Sequence, residues 1–420
     1  MFRRTPTPAL ITGIDLGSNA IRIALGQYTR SQNHGGDLNI LGLVEVPSEG
    51  LHRGAVTSIE ETVSSLSHGL EQIERLTGAL IEHAWIGVSG THIISQKSKG
   101  VVAVAKSDGE ISTDDVGRAV EAARTVSVPL NYEILHVIPH TFGVDGQIGI
   151  KDPVGMTGIR LEVDAQIIFG LAQQMKHLTK AVYRTGIDID DLVLSILAAG
   201  DVVSTSRQRD LGVAVVNIGG STTSLVVYEE GDIIHTAVIP IGSEYITNDV
   251  AIGLRTSIDV AERVKIEYGH ANAKDIPKRE RINLSSVGAP NEEEIALRYV
   301  AEIIEARVGE ILERIDKELA SIGRSGKLPA GIIFTGGGAK LSGLIELSKE
   351  QLALPASLGY PLYMSGGQGK VHDIAFSSAL GLVKWGADIQ YSGKNRQLSR
   401  FGGTQKVVKR IQDVWKTLMP

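Results

Sequence analysis

Hydrophobic positions along the 420-residue chain fall into two alternating patterns. Stretches with a two-residue period or a continuous β-branched character occur at 9–14, 21–27, 40–46, 84–88, 212–217, 225–228, 233–239 and 330–334, and they predict strands. Between them, apolar residues recur every three to four positions at 59–76, 171–184, 257–268, 292–322 and 342–353, which predicts helices. This alternation predicts an α/β protein with mixed sheets rather than an all-β or all-helical chain. The stretch from Ser89 to about Leu161 interrupts the pattern and is expected to be an inserted module. After Gly386 the sequence turns polar and glycine-rich (391–405), as a linker does, before a short helical pattern ends it.

Within this frame one motif occurs twice. Ile14-Asp15-Leu16-Gly17-Ser18-Asn19-Ala20-Ile21-Arg22 parallels Val216-Asn217-Ile218-Gly219-Gly220-Ser221-Thr222-Thr223-Ser224. Each is an apolar strand, an Asp or Asn, an apolar residue, a tight glycine turn with small polar side chains, and a second strand. Two such hairpins so far apart predict a duplicated domain. Backbone N–H groups and hydroxyls in these turns can cradle phosphate oxygens, and Asp15 can hold a magnesium ion through water. Arg22, on the strand after the first turn, brings positive charge toward it. A third loop, Thr335-Gly336-Gly337-Gly338-Ala339, follows a predicted strand and precedes a predicted helix. Three glycines let a flat ring or a phosphate lie against the main chain. No G-x-x-x-x-G-K-[ST] motif occurs, so a P-loop is excluded.

Composition narrows the class. Hydrophobic residues make up 42% and charged residues 21%, as in soluble globular proteins, and the length allows two to four domains. With 42 Lys+Arg against 48 Asp+Glu the net charge is −6, so no nucleic-acid partner is expected. The absence of cysteine rules out a disulfide scaffold, a Cys zinc site and a cysteine nucleophile. No apolar run reaches the ~18–20 residues of a spanning helix, and the start, MFRRTPTPALITGIDLG, lacks a signal-peptide pattern, so a cytoplasmic chain is expected. His34, His52, His83, His92 and His177 show no paired spacing, Trp85 is expected in the core, and Glu292-Glu293-Glu294 is expected to open a helix. At the C-terminus, Val407, Val408, Ile411, Val414, Trp415, Leu418 and Met419 fall within an arc of about 140° on a helix, with Lys409, Arg410 and Lys416 outside it and Lys406 at its start. A tethered amphipathic helix of this kind suits anionic membrane lipids.

The two hairpins and the glycine loop, in this order, resemble the actin/Hsp70/sugar-kinase ATPase superfamily. More closely, the chain is similar to the FtsA family of bacterial cell-division proteins. Leu135-His136-Val137-Ile138-Pro139-His140, Val144-Asp145-Gly146-Gln147 and Asp152-Pro153-Val154-Gly155-Met156-Thr157-Gly158 resemble that family's inserted 1C subdomain. Ile239-Pro240-Ile241-Gly242, Ile246-Thr247-Asn248-Asp249-Val250 and Ala261-Glu262-Arg263-Val264-Lys265 resemble its second lobe. The resemblance implies a two-lobed actin-like ATPase fold with an inserted α+β subdomain and a C-terminal amphipathic helix. Its divisions are expected at 1–88 and 163–198 (lobe 1), 89–162 (insert), 199–385 (lobe 2), 386–405 (linker) and 406–420 (membrane helix). It further implies ATP and Mg2+ in the cleft, with Ser18, Asn19, Gly219, Gly220, Ser221 and Thr222 at the phosphates. Glu262 and Lys265 are implied at the ribose and base, and Gly336, Gly337, Gly338 and Ala339 at the adenosine pocket. Asp15, Gly17, Arg22, Asn217 and Gly242 complete the expected nucleotide site.

The implied role is to tether filaments of the tubulin-like protein FtsZ to the cytoplasmic membrane at the division site, with self-association into actin-like filaments. The C-terminal tail of FtsZ is expected on the lobe containing 257–322, where Arg298 and Arg307 are expected to be exposed at helical spacing. Two features depart from the family pattern: Asn217 stands where it has Asp, and Ser206-Arg207-Gln208-Arg209-Asp210 where it carries an acidic tetrad. Both bear on turnover more than on binding, so weak or absent ATPase activity is expected. The rival readings are a small-metabolite kinase, which would have no use for the tail, and a pilus-assembly relative. An Hsp70-type chaperone lacks room for its peptide-binding domain after Trp385.

Overall fold

The computed structural model describes residues 9–30, 36–125, 128–362 and 364–392. Lobe 1 begins with an antiparallel meander of β1 (Ala9–Leu16), β2 (Ala20–Arg30) and β3 (Gly36–Pro47). Helix α1 (Ile59–Thr77) follows, held at its start by the Ser58 side chain accepting the Glu61 N–H and ended by Gly78 at φ 69°, a left-handed cap that glycine adopts without strain. Its buried face is Thr62, Leu66, Gly69, Leu70 and Ile73, the helical spacing that the sequence predicts. β4 (His83–Val88) then runs parallel to β1.

The insert follows as β5 (Ile93–Ala103), α2 (Thr113–Thr125), β6 (Tyr132–Val144), β7 (Gln147–Ile150) and β8 (Arg160–Leu171). Its sheet has the order β5-β8-β6-β7 and its own core around Val120, Val137, Leu161 and Phe169. β8 pairs with β5 and β6 along its whole length, so the stretch 163–171, expected in lobe 1, belongs to the insert's sheet. Lobe 1 resumes with α3 (Ala172–Tyr183), β9 (Asp188–Leu194) and α4 (Ser195–Val203).

Lobe 2 repeats the plan. β10 (Val213–Ile218), β11 (Thr223–Glu229) and β12 (Asp232–Ile239) form the meander, followed by α5 (Ser243–Leu254), α6 (Ile258–Tyr268) and α7 (Leu297–Ser321). β13 (Ile332–Thr335) and β14 (Ala356–Leu358) add parallel strands, and α8 (Ser377–Ala387) ends the lobe. Lobe 1 has the order β9-β4-β1-β2-β3, with Ser365–Gly366 beyond β3, and lobe 2 has β14-β13-β10-β11-β12. These are one topology used twice, so the duplication suggested by the hairpins is structural.

The expected helix 292–322 begins later. Glu294–Ala296 pairs as a short strand with Arg281–Asn283, and Glu280 C=O accepts the Leu297 N–H at 3.0 Å, so the chain is tied into a hairpin before the helix can start. The three glutamates therefore do not open a helix. The expected linker from 386 also starts later, because α8 continues through Ala387 into a π-helical turn at Asp388–Ser392. The amphipathic pattern at 406–420 lies outside the described residues.

α4 and α8 cross between the lobes. At Gly381 an added Cβ would lie 2.1 Å from the Ala198 carbonyl oxygen, so only glycine permits that approach. At Gly13 it would lie 2.4 Å from the Ala379 carbonyl oxygen, which brings α8 onto β1. Lys384 and Arg209 both pair with Asp201 at the far end of this crossing.

Candidate functional site

The β1–β2 and β10–β11 turns face each other across a cavity of about 630 Å³ between the lobes. Register explains the placement: Asp15 pairs with Arg22 and Asn217 with Ser224, so each key residue sits one step before its turn. At Gly220 an added Cβ would lie 1.8 Å from Asn19 Oδ1, so the two turns touch and any side chain there would have to push the Asn19 side chain aside. The Ser18 hydroxyl accepts the Gly54 N–H at 3.0 Å, and the Ser89 and Ser224 hydroxyls meet at 3.2 Å across the lobes.

Asp15 is a half-buried carboxylate at the centre of the site. Burial raises its pKa above the ordinary carboxylate value; the Ser195 hydroxyl, the Arg22 charge and the Ser378 hydroxyl each oppose that rise. Ser195 Oγ donates to Asp15 Oδ1 at 2.8 Å, and Arg22 is itself paired with Glu45 at 2.6 Å. Opposite, Asn217 Nδ2 donates to Ser378 Oγ at 3.1 Å. Gly336, at φ 86°, comes so near Asn217 that an added Cβ would lie 2.2 Å from its Oδ1. The glycine loop is braced from behind by Thr335 Oγ1, which donates within 3.0 Å of the Ile374 carbonyl and lies 2.7 Å from Ser377 Oγ.

On the lobe 2 wall, Lys265 Nζ bonds Glu262 at 2.6 Å and Thr247 Oγ1 at 2.8 Å. Lys340 reaches Asp373 at 2.8 Å. The cavity wall thus gathers Asp15, Gly17, Ser18, Asn19, Arg22, Asn217, Gly219, Gly220, Ser221, Thr222, Glu262, Lys265 and Gly336 to Gly338, residues that the sequence singles out from four distant segments.

Two expected residues do not line it. Gly242 stands behind the second turn, where Ser243 and Glu244 N–H donate to the Gly219 and Gly220 carbonyls at 2.9 Å each, so it supports the turn instead. Ala339 is buried in the lobe 2 core. Arg307, expected to be exposed, is bound to Asp249 and Glu310 and lies over the Tyr245 ring; its charge is already used within the lobe. Arg298 faces Glu302 at 3.5 Å. Sequence reading missed Ser195, Ser378, Glu45, Thr247 and Asp373. Ser195 opens a helix and Ser378 stands second in one, both so uniformly apolar that no period marks their starts, although for Ser195 a serine directly after a strand was a usable signal.

Two copies of one α/β unit that close on a shared cleft through matching hairpins define an actin-like fold. Solved structures agree with that class. The PilM–PilN type IV pilus biogenesis complex matches with a TM-score of 0.65 at 17% identity, over 90% of this chain and 98% of that one. MreB 5 of Spiroplasma citri bound to AMPPNP matches with a TM-score of 0.53 at 13% identity, over 93% and 98%. At such identities the likeness is one of fold alone.

Sequence relatives go further. The family model for cell division protein FtsA matches residues 214–381, and that for the SHS2 domain inserted in FtsA matches 90–169. Cell division protein FtsA of Bacillus subtilis (strain 168) is 39% identical over 376 residues, 90% of this chain and 83% of that protein. The Pseudomonas aeruginosa protein of the same name is 35% identical over 390 residues, 93% and 92%, and that of Escherichia coli (strain K12) 31% over 392 residues, 92% and 92%. The chain belongs to the FtsA family of cell-division proteins.

Proposed function

We propose that this chain binds ATP with Mg2+ in the interlobe cleft and, in that state, links FtsZ filaments to the cytoplasmic membrane at the division site. The observation that carries the reading is the pair of facing hairpins with the glycine loop on one cavity. The residues fit the ligand. A half-buried carboxylate among hydroxyls suits a hard cation that keeps its waters, and glycines at the cavity wall leave main-chain N–H groups accessible to phosphate. Asp15 would hold the hydrated metal, which when bound supplies charge neutralisation at the phosphates. Glu262 and Lys265 would meet the sugar and base.

Asn217 brings no negative charge and takes no proton, so turnover is expected to be slow. Titration with a fluorescent ATP analogue, beside a phosphate-release assay, tests both halves. The unsubstituted chain should bind with magnesium and release phosphate far below ~1–100 per second. Asp15→Ala should lose most of the magnesium-dependent affinity. Absence of binding, or brisk hydrolysis, would reverse the reading.

The membrane link is assigned to residues 406–420, and among the described residues no helix is long and apolar enough to cross a membrane. Since Arg307 is engaged, the FtsZ tail is assigned to the exposed apolar surface of the same lobe, where Ile252 and Tyr299 adjoin through the Tyr299 O–H and the Gly253 carbonyl at 3.4 Å. Self-association through the actin-like body completes the role. A labelled FtsZ tail peptide should bind the chain in the micromolar range, and Tyr299→Asp should weaken it severalfold.

A further inference from the structure

Lobe 1 carries a tight hairpin, Leu51–His52 against Ala55–Val56, whose two-residue turn is Arg53-Gly54. Both turn residues have positive φ, 49° and 76°. Such a turn favours Asn or Gly at its first position, so an arginine held there costs backbone energy. Its side chain offsets that cost by reaching the other lobe. Arg53 Nη2 donates to the Tyr245 hydroxyl oxygen at 2.5 Å, and Arg53 Cζ lies 5.9 Å from the Tyr245 ring centroid.

Both ends of this bond are tied to the turns that face the cleft. In lobe 1 the neighbouring Gly54 N–H donates to Ser18 Oγ of the first turn at 3.0 Å. The Arg53 carbonyl accepts the Thr91 N–H at 3.3 Å, which fixes the hairpin from its other side. In lobe 2, Tyr245 is the third residue of α5, and the two before it, Ser243 and Glu244, donate their N–H groups to the Gly219 and Gly220 carbonyls of the second turn. Arg307, held by Asp249, has its Cζ 5.8 Å from the same ring centroid, so the ring is positioned from within its own lobe. Gly54 on one side and Ser243 and Ile246 on the other line the cavity, which puts the bond at its edge.

We propose that Arg53 and Tyr245 form a latch between the lobes and act as positioning residues for the nucleotide, holding the first and second turns together around its phosphates. The inference deepens the ATP reading and rests on it. Neither side chain lines the cavity, so the pair acts through the turns and not by touching the ligand. Loss of the latch then shows in how long the nucleotide stays rather than in how fast it arrives.

The test follows binding of a fluorescent ATP analogue with Mg2+ to the full chain by stopped flow, and its release by a chase with excess ATP. Tyr245→Phe, which keeps the ring and loses the hydroxyl, should speed release about fivefold and leave the association rate within about twofold. Arg53→Asn, which suits the turn better, should speed release at least as much. The double variant should release no more than about twofold faster than Arg53→Asn alone, because one bond can be lost only once. Arg53→Lys, which can still donate to the hydroxyl, should release more slowly than Arg53→Asn. Thermal unfolding without nucleotide checks the fold, and Arg53→Gly, which takes the same φ freely, replaces Arg53→Asn if that variant does not fold. Unchanged release in Tyr245→Phe and Arg53→Asn, effects that multiply in the double variant, or losses confined to association would overturn the latch while ATP binding stands. Failure of the unsubstituted chain to bind ATP with magnesium would instead overturn the nucleotide reading, and the role of the latch with it.

Discussion

Gly336 shows how much one residue can decide. Its φ of 86° is left-handed, and an added Cβ would press on Asn217 Oδ1. Gly336→Ala should therefore displace the loop from the second hairpin and weaken ATP binding by tenfold or more, read by titration with thermal unfolding as a control. His136 offers a pH test. It is buried beside Trp385, accepts the Leu194 N–H on Nε2 at 2.9 Å, and burial holds its pKa down to about 4. The folded protein keeps this ring neutral while the unfolded chain takes up a proton below about pH 6.5, so stability is lost as pH falls from there toward 4. The loss is on the order of 2–3 kcal/mol for this residue. His136→Gln keeps an acceptor and removes the titration, so chemical denaturation should show a shallower acid loss. His92, also buried and held near 4, should keep the rest. At this scale the sequence announced the polar residues of the turns, because turn chemistry is local. Ser378 and Glu45 were silent, since their value comes from partners far along the chain.

Among elements, the α4–α8 crossing is the most sharply specified. Gly381 leaves no space for a methyl group against Ala198, and overpacking of this kind costs about 1–3 kcal/mol or forces the helices apart. Gly381→Ala should lower the unfolding midpoint and also weaken nucleotide binding, because both helices start at the cleft. A midpoint shift with unchanged affinity would separate the crossing from the site. In the insert, Asp115 receives the Ala105 and Ser112 N–H groups and the Ser112 hydroxyl, and pairs with Arg118; these donors hold its carboxyl far below the usual range. Asp115→Ala should strand them and expose α2 to early proteolysis. Amphipathic elements such as α1 were legible from their period. α4 and α8 were not, because helices buried on all sides have no polar face to mark a period. The start of α7 was misplaced because a hydrogen bond from Leu297 to Glu280 overrode local helix preference.

For the molecule as a whole, the duplication was legible from two hairpins, while the insert's true extent depended on strand pairing that no local pattern reveals. The tail sequence makes the remaining forecast. Trp415→Glu places a charge inside the apolar arc, and burying it costs several kcal/mol, so the variant should no longer co-sediment with anionic liposomes at physiological salt. The unsubstituted chain should sediment with them, less so as salt rises. The repeated strand order has a wider consequence. Two like halves that face one cleft from opposite sides would meet a ligand that has no such repeat. Equivalent positions then meet different ends of one molecule, and selection can set them to different tasks. Aspartate on one side and asparagine on the other, with one serine giving a proton and its counterpart receiving one, are what a broken repeat leaves behind.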